Sequence, residues 1–406
     1  MQTARFSFGI NPIGQGLFCS GNIDDVSWVY DCGSEKKQLI KKSINHAVKD
    51  RIDILIVSHF DYDHVNGLTD LARKAKIGII FIPYVEPLER LLLSITRNAS
   101  NDANYYNFLY DPISFLSNFE PEKIVVVGHR EVVGHRERES FIESKKEEVS
   151  ENVDLVYMQE DGSLKKQLED EKSQRCGKEK IYNDLGFVTI KNRWIMKFYN
   201  KPITEAEKNR FVHVLKELGF DENDKASIKN AIKSDYMREK IKSAYKSVWK
   251  RLNTTSLVLY CGLTTPCKVD FLVEPVISKL CGLIPCHQNF FNNCCYRRNA
   301  TPYFAILLLG DAEFGKNEIN KYKGHFGKLL SNIVFMLMAH HGSRYNWKNE
   351  LIQLCPNCEY WGASTGFSNK YGHPAFEVVL KILMENKTFL NSTEFNGVYF
   401  EGIIKS

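Results

Sequence analysis

Four side chains able to bind metal fall within six positions of one another: His59, Asp61, Asp63 and His64, in the run Val57-Ser58-His59-Phe60-Asp61-Tyr62-Asp63-His64-Val65. Imidazole nitrogen and carboxylate oxygen at this spacing suit zinc, manganese or iron. A strand can deliver His59 and Asp61 at its C-terminal edge, and the turn that follows swings Asp63 and His64 toward a neighbouring ion. Two adjacent ions suit hydrolysis, because a hydroxide shared between two cations persists near neutral pH.

The strand that must carry this run is the apolar stretch Ile52 to Val57, read as buried from Arg51 to Ser58. Before it come alternating segments, Ala4 to Ile10, Leu17 to Ser20 and Ser27 to Tyr30, the last ending in Asp31-Cys32-Gly33-Ser34. Glu35 to Val48 has helical spacing, with Leu39, Ile40, Ile44 and Ala47 on one face. Asn66 to Ala75 reads as a helix and Ile77 to Pro83 as a strand. Beyond Arg251 three more apolar runs end in polar groups: Leu309-Gly310-Asp311, Ala339-His340-His341-Gly342-Ser343 and Trp361-Gly362-Ala363-Ser364. Groups at the C-terminal edges of successive strands converge in space although the chain separates them widely. A helix from Ala375 to Met384 and a strand from Gly397 to Ile403 close the sequence, and the whole predicts a mixed α/β sheet with covering helices.

Residues 98–250 differ in character. Glu131 to Lys180 is dense in Glu, Lys and Arg, and a helix is predicted from Thr204, as N-cap, to Leu218, with Phe211, Val214, Leu215 and Leu218 in one stripe. Basic helices follow from Ala226 to Trp249. This block reads as a charged, largely helical insertion between two halves of a core, 1–97 and 251–406, and it offers a surface for a protein partner.

With 406 residues and 43% hydrophobic content the chain can bury a sizeable core, and a net charge of +5 permits an anionic substrate without arguing for nucleic acid. No apolar run approaches the roughly eighteen residues that span a bilayer, and no signal-peptide pattern opens the chain, so a cytoplasmic location and no membrane partner are expected. The eleven cysteines, an odd number unevenly spread, fit reduced thiols better than a disulfide framework. Six of them lie between Cys261 and Cys295, in a Cys-rich excursion of the second core half at 261–300. Their spacings do not form paired C-x-x-C units. Cys355-Pro356-Asn357-Cys358 reads as a turn.

Together these residues resemble the metallo-β-lactamase superfamily over about 1–97 and 251–406. Asp31-Cys32-Gly33 resembles its first acidic motif, His59-x-Asp61-x-Asp63-His64 its second, Asp311 its bridging carboxylate, and His340-His341-Gly342-Ser343 its late histidine motif. Within the superfamily the chain is most similar to the hydrolase domain of the competence protein ComEC. That domain shares the His-x-Asp-x-Asp-His form, the Asn-x-x-Ser-Leu segment at Asn253 to Leu257, and the Asn-x-Tyr-Gly-His-Pro ending at Asn369 to Pro374. The membrane channel that accompanies the ComEC domain has no counterpart here. The resemblance implies an αββα sandwich and two divalent ions, zinc or manganese with magnesium as a further option. Asp61, where the superfamily usually has histidine, shifts the balance toward harder ions.

On this resemblance His59 and Asp61 would hold the first ion and Asp63 and His64 the second. Asp311 would bridge them, and His340 or His341 would complete the shell, with His340 slightly favoured because it comes directly off its strand. Asp31 would buttress a ligand histidine. None of His129, His135, His213 and His287 stands at a strand end where a third imidazole is usual. Asp63 and His373 are the catalytic candidates. His373, as imidazolium, would neutralise a phosphate oxygen or protonate a leaving alkoxide, and Ser343, Ser364, Asn369 and His373 are candidates for substrate contact. The expected activity is hydrolysis of a phosphodiester in nucleic acid or a nucleotide. Hydrolysis of a thioester, lactone or β-lactam, and a non-catalytic sensor or binding protein, are the alternatives.

Overall fold

Residues 3–85, 89–90, 93, 102–128, 145–160, 179–201, 205–217, 219, 236, 239–240, 243, 256–277 and 297–405 are described in a computed structural model of the protein. The parallel strands at the centre of each sheet are buried on both faces, and their two faces belong to different cores. Along β4 (Arg51–Ile56), Ile54 and Ile56 point into a central core, whereas Leu55 between them points into an outer one. On β5 (Lys76–Pro83), Ile79 and Phe81 point inward and Ile80 and Ile82 outward. This twofold alternation is what a sheet packed on a second sheet on one side and on helices on the other requires.

The first sheet is built around parallel neighbours: β3 (Val26–Ser34), β4, β5 and β6 (Lys123–Val127). It continues on the β3 side through the antiparallel β2 (Gly16–Ile23), β1 (Thr3–Ile10) and β18 (Asn396–Lys405). The second sheet has a parallel centre of β14 (Ala305–Leu308), β15 (Ile333–Leu337), β16 (Tyr360–Ser364) and β17 (Thr388–Ser392). β11 (Leu257–Leu263) and β10 (Trp194–Asn200) extend it antiparallel. β12 (Lys268–Ile277) pairs with β18 and with β13 (Arg297–Thr301).

Between the sheets lies a core of Phe8, Trp28, Phe81, Phe198, Phe335 and Phe400 among others, in which Phe8 stacks on Trp28 with ring centroids 5.8 Å apart. Outside the first sheet sit α1 (Lys37–Ala47), α3 (Leu68–Lys74), α4 (Ala103–Tyr110) and α5 (Pro112–Ser117), which bury Ile40, Ile44, Leu71, Phe108 and Leu116. Outside the second sheet sit α7 (Lys316–Phe326), α8 (Glu350–Leu354) and α9 (Phe376–Met384), which bury Tyr322, Leu351, Val378 and Ile382. The four layers form the αββα sandwich of the metallo-β-lactamase-like fold.

The block 98–250 departs from the expected helical insertion. Its described residues include α4, α5 and α6 (Glu205–Glu217), but also five strands: β6, β7 (Lys145–Ser150), β8 (Val153–Glu160), β9 (Glu179–Ile190) and β10. β9 runs parallel to β6 at one end and antiparallel to β10 at the other, so it joins the two sheets. The expected cap Thr204, the helices from Ala226 to Trp249 apart from scattered positions, and the cysteines between 278 and 296 lie outside the described residues. Cys261 is buried in the central core, and Cys355 and Cys358 are buried free thiols flanking a turn. No helix among the described residues is long and apolar enough to cross a membrane.

Candidate metal centre

All the parallel strands of both sheets deliver their C-terminal ends to one edge of the sandwich, and there the two sheets are tied together. Leu257 N donates to Ser58 O at 2.6 Å, and the Tyr30 hydroxyl to Leu257 O at 2.9 Å. The loop after β4 brings in His59, then Asp61 as the residue preceding the short helix α2 (Tyr62–Val65), which itself carries Asp63 and His64. β14 delivers Asp311 through Gly310, β15 delivers His340 and His341, and the loop after β16 delivers His373. Asp31, His340 and His341 all have left-handed backbone (φ 59°, 49° and 57°), a conformation that costs on the order of 1 kcal/mol or more for residues with a side chain. Sites that hold such residues do so because the surrounding bonds over-determine them.

Two ligand groups result. His59, Asp61 and Asp311 form one, and Asp63, His64 and His341 the other. In the first, His59 Nε2 lies 3.8 Å from Asp61 Oδ2 and 3.5 Å from Asp311 Oδ2. In the second, His341 Nε2 lies 3.4 Å from Asp63 Oδ2. The other Asp311 oxygen, Oδ1, lies 3.6 Å from His64 Nε2, so the two oxygens of this carboxylate face the two groups separately. These separations exceed hydrogen-bond length and match the edge of a ligand tetrahedron, about 3.4 Å for bonds of about 2.1 Å. The Nε2 atoms of His59 and His64 are buried and make no hydrogen bond. Buried lone pairs aimed at carboxylates without a proton bridge are what a cation would satisfy, and the residues present fit divalent ions in both groups.

The remaining ring nitrogens are held from behind. Asp31 Oδ1 accepts from Ser58 N at 2.6 Å, and its Oδ2 accepts from Ser58 Oγ at 2.5 Å and pairs with His64 Nδ1 at 2.9 Å. Ser58 Oγ in turn lies 2.8 Å from His59 Nδ1. A carboxylate only accepts, so His64 carries its proton on Nδ1. Ser58 has given its hydrogen to Asp31, so it accepts from His59 Nδ1. His341 Nδ1 likewise donates to the Ser364 carbonyl at 2.8 Å. All three imidazoles thereby present Nε2 to the ligand groups, the arrangement of metal-binding histidines with fixed tautomers.

The electrostatics agree. Burial alone would lower the His59 pKa, but the Asp311 carboxylate, with Asp61 behind it, raises it to about 9. Burial also opposes the charged form of His341, yet the Asp63 carboxylate beside it raises its pKa. Burial would raise Asp311, and the neighbouring His340, His59 and His64 hold it well below the usual carboxylate range. Without an ion, a proton on His59 stands in for the cation that the surrounding acids call for.

Each anticipated residue has a definite place. Asp31 hydrogen-bonds His64 directly and reaches His59 through Ser58. The preference for His340 as the completing ligand is reversed. His341 is buried, oriented by Ser364 and closes on Asp63, while the His340 side chain is 34% exposed with Nε2 3.7 Å from Asp311 Oδ2, at the solvent side of the first group. The two left-handed residues of the turn turn the second imidazole inward, which strand alternation does not anticipate.

His373 stands beside His340, ring centroids 5.5 Å apart. Burial, then the neighbouring His340 and His341, lower its pKa to about 4, so it is a neutral imidazole and not the imidazolium expected. Ser343, Ser364 and Asn369 each have hydrogen-bond partners within the chain. Ser343 Oγ accepts from Tyr345 N, Ser364 is buried with its hydroxyl on Gly14 O, and the Asn369 side chain clamps the loop through Gly366 O, His373 O and His373 N. His213 is exposed on α6 near Glu217 and takes no part; His129, His135 and His287 lie outside the described residues.

Sequence reasoning missed the residues that position Asp311. Ser256 Oγ accepts from Asp311 N at 3.1 Å, and Asn346 Nδ2 donates to the carbonyls of Asp311 and Ala312 at 3.2 and 3.0 Å. Ser256 sits in the Asn253 to Leu257 segment already singled out by resemblance, and that was its only signal. Gly33 was noted only as motif: a Cβ there would stand 2.5 Å from Asp63 C and His64 N, so β3 and the ligand helix touch through backbone.

The fold is an αββα sandwich, and one edge of it carries a His/Asp centre suited to divalent cations. No family model and no curated protein matches the chain. Among solved structures, the metallo-beta-lactamase fold protein YhfI from Bacillus subtilis is similar over 98% of this chain and 99% of that one, with 8% identity and a TM-score of 0.38.

Proposed function

We propose that this protein is a dinuclear, metal-dependent phosphodiesterase acting on nucleic acid or a nucleotide. The observation that carries the reading is the Asp311 carboxylate, whose two oxygens face two separate ligand groups, with three carboxylates and three imidazoles shared among them. This oxygen-rich set suits manganese, zinc or magnesium, and such ions bound together polarise a phosphoryl oxygen and activate water at neutral pH. Asp61, an oxygen where a nitrogen ligand is usual, favours harder ions, and such ions bind the hard oxygens of phosphodiesters.

The chain's own groups do the remaining work. Asp31 and Ser58 hold His59 and His64 in register, and Ser364 and Asp63 do the same for His341. His373, neutral and held by Asn369 beside His340, offers one N–H and one lone pair to a substrate oxygen at the open side of the centre. Its role is to hydrogen-bond the phosphoryl or leaving oxygen and to move a proton there, not to supply fixed positive charge.

The test is hydrolysis of bis(p-nitrophenyl) phosphate and of single-stranded, double-stranded and cyclic nucleotide substrates by protein loaded with Mn2+, Mg2+ or Zn2+, with Asp63→Ala beside wild type. Loss of at least about a hundredfold in kcat/KM is expected for the variant. Turnover of a thioester or lactone with none of any phosphodiester, or full activity in Asp63→Ala, would sink the proposal.

A further inference from the structure

We infer that aromatic rings at the mouth of the metal centre form a stacking platform for unpaired bases, so that the substrate is a single-stranded nucleic acid. The inference rests on the phosphodiesterase reading and adds the class of chain. A line of rings leads outward from Asp311: His340, then His373 at 5.5 Å, then Tyr371, whose ring lies 5.9 Å from His373 and only 18° from parallel. Tyr371 is 45% exposed. Directly after the His340-His341 turn, Tyr345 is 57% exposed and carries the Arg344 guanidinium 4.8 Å from its ring centre. Phe367, at the start of the loop that bears His373, is 73% exposed.

These rings are held rather than loose. The Tyr371 hydroxyl donates to Glu35 Oε1 at 3.1 Å, the Asn369 side chain clamps the loop between Gly366 and His373, and Phe367 N donates to Glu394 Oε2 at 2.9 Å. A fixed ring loses little entropy when a base covers it. The rim's charge narrows the ligand further. Among the described residues of the rim, Arg344 lies 3.8 Å from Glu377 and Lys36 2.9 Å from Glu394, and Lys370 lies over the Tyr371 ring, so two of these three cations stand against acids. Duplexes hide their base faces and are gripped chiefly through phosphates. Single strands offer every base face, and sequence-tolerant stacking on aromatic side chains is how proteins hold them. Exposed rings beside the centre with charges largely matched therefore fit an unstacked strand.

Binding can be read without turnover. Metal-loaded protein is titrated into a fluorescein-labelled, phosphorothioate-linked thymidine decamer, an abasic decamer of equal length and a duplex. Tyr345→Ala and Tyr371→Ala should each weaken thymidine-decamer binding by about five- to a hundredfold. Tyr345→Phe keeps the ring and should bind like wild type; Tyr371→Phe keeps the ring but loses its tie to Glu35, and should weaken binding less than Tyr371→Ala does. The abasic chain should bind more weakly than the thymidine chain, and the duplex more weakly than the single strand. Wild-type affinity in both alanine variants, equal affinity for the abasic chain, tighter binding of the duplex, or no binding of any of the three would overturn the inference. Turnover of bis(p-nitrophenyl) phosphate by wild type judges the reaction separately: its absence alongside ring-dependent strand binding sinks the phosphodiesterase reading and leaves the platform.

Discussion

Replacing Ser58 by alanine should weaken the binding of one ion and spare the other. The Ser58 hydroxyl stands between Asp31 Oδ2 at 2.5 Å and His59 Nδ1 at 2.8 Å, whereas His64 reaches Asp31 directly at 2.9 Å. Its removal unties His59 alone, and Asp31 keeps the Ser58 amide and His64. Partners of this kind are worth about 10- to 100-fold in metal affinity, or about 1.4–2.7 kcal/mol. The buried His59 N–H left unmet costs about 1–3 kcal/mol, and part of this will appear as lower stability of the ion-free protein. Asp31→Asn is the contrast: an amide cannot accept through both ends, so both histidines lose their support and both ions should weaken. Competition against a chromophoric chelator resolves the two stepwise constants, and far-ultraviolet circular dichroism confirms that each variant is folded. One constant should move in Ser58→Ala and both in Asp31→Asn. Two unchanged constants in Ser58→Ala, or equal weakening of both, would refute the division of the ligands into two groups joined through Asp31.

Two further outcomes follow from the same geometry. In ion-free protein the raised pKa of His59, about 9 against an ordinary 6.5, contributes stability that is fully present below about pH 6.5 and is lost as pH rises through 9; the full effect is on the order of 3 kcal/mol. Urea unfolding of chelator-treated protein at about pH 6 and pH 9.5 measures it, and equal stability at the two would contradict the assignment. Gly33→Ala puts a Cβ 2.5 Å from the backbone of Asp63 and His64, which cannot turn aside; a loss of about 1–3 kcal/mol from overpacking is expected, with weaker metal uptake, and denaturant melts paired with chelator competition test both.

The chemistry of the centre was legible because most of its ligands are local, and the distant ones follow strand ends. His59, Asp61, Asp63 and His64 are contiguous, and parallel strands bring Asp311 and His341 to the same edge whatever lies between. What the chain hid is decided by backbone. His340 and His341 are adjacent imidazoles on a turn, and only their left-handed φ values make the second one the buried ligand. Ser364 meets His341 through its carbonyl and Asn369 clamps its own loop, two contacts that residue type alone does not announce. Ser58, Ser256 and Asn346 act through single hydroxyls and amides that any turn could use locally, and nothing in their spacing separates the two uses. The hairpin of β7 and β8 was hidden by its charge: Lys145-Lys146-Glu147-Glu148 reads as a solvated run, yet it pairs with β8, and Lys146 meets Asp154 at 2.9 Å. Charged strands of this kind defeat hydrophobic periodicity because cross-strand ion pairs and backbone bonds, rather than burial, hold them. The same limit applies at the centre: side-chain type announces which atoms can bind metal, and the backbone decides which of them do.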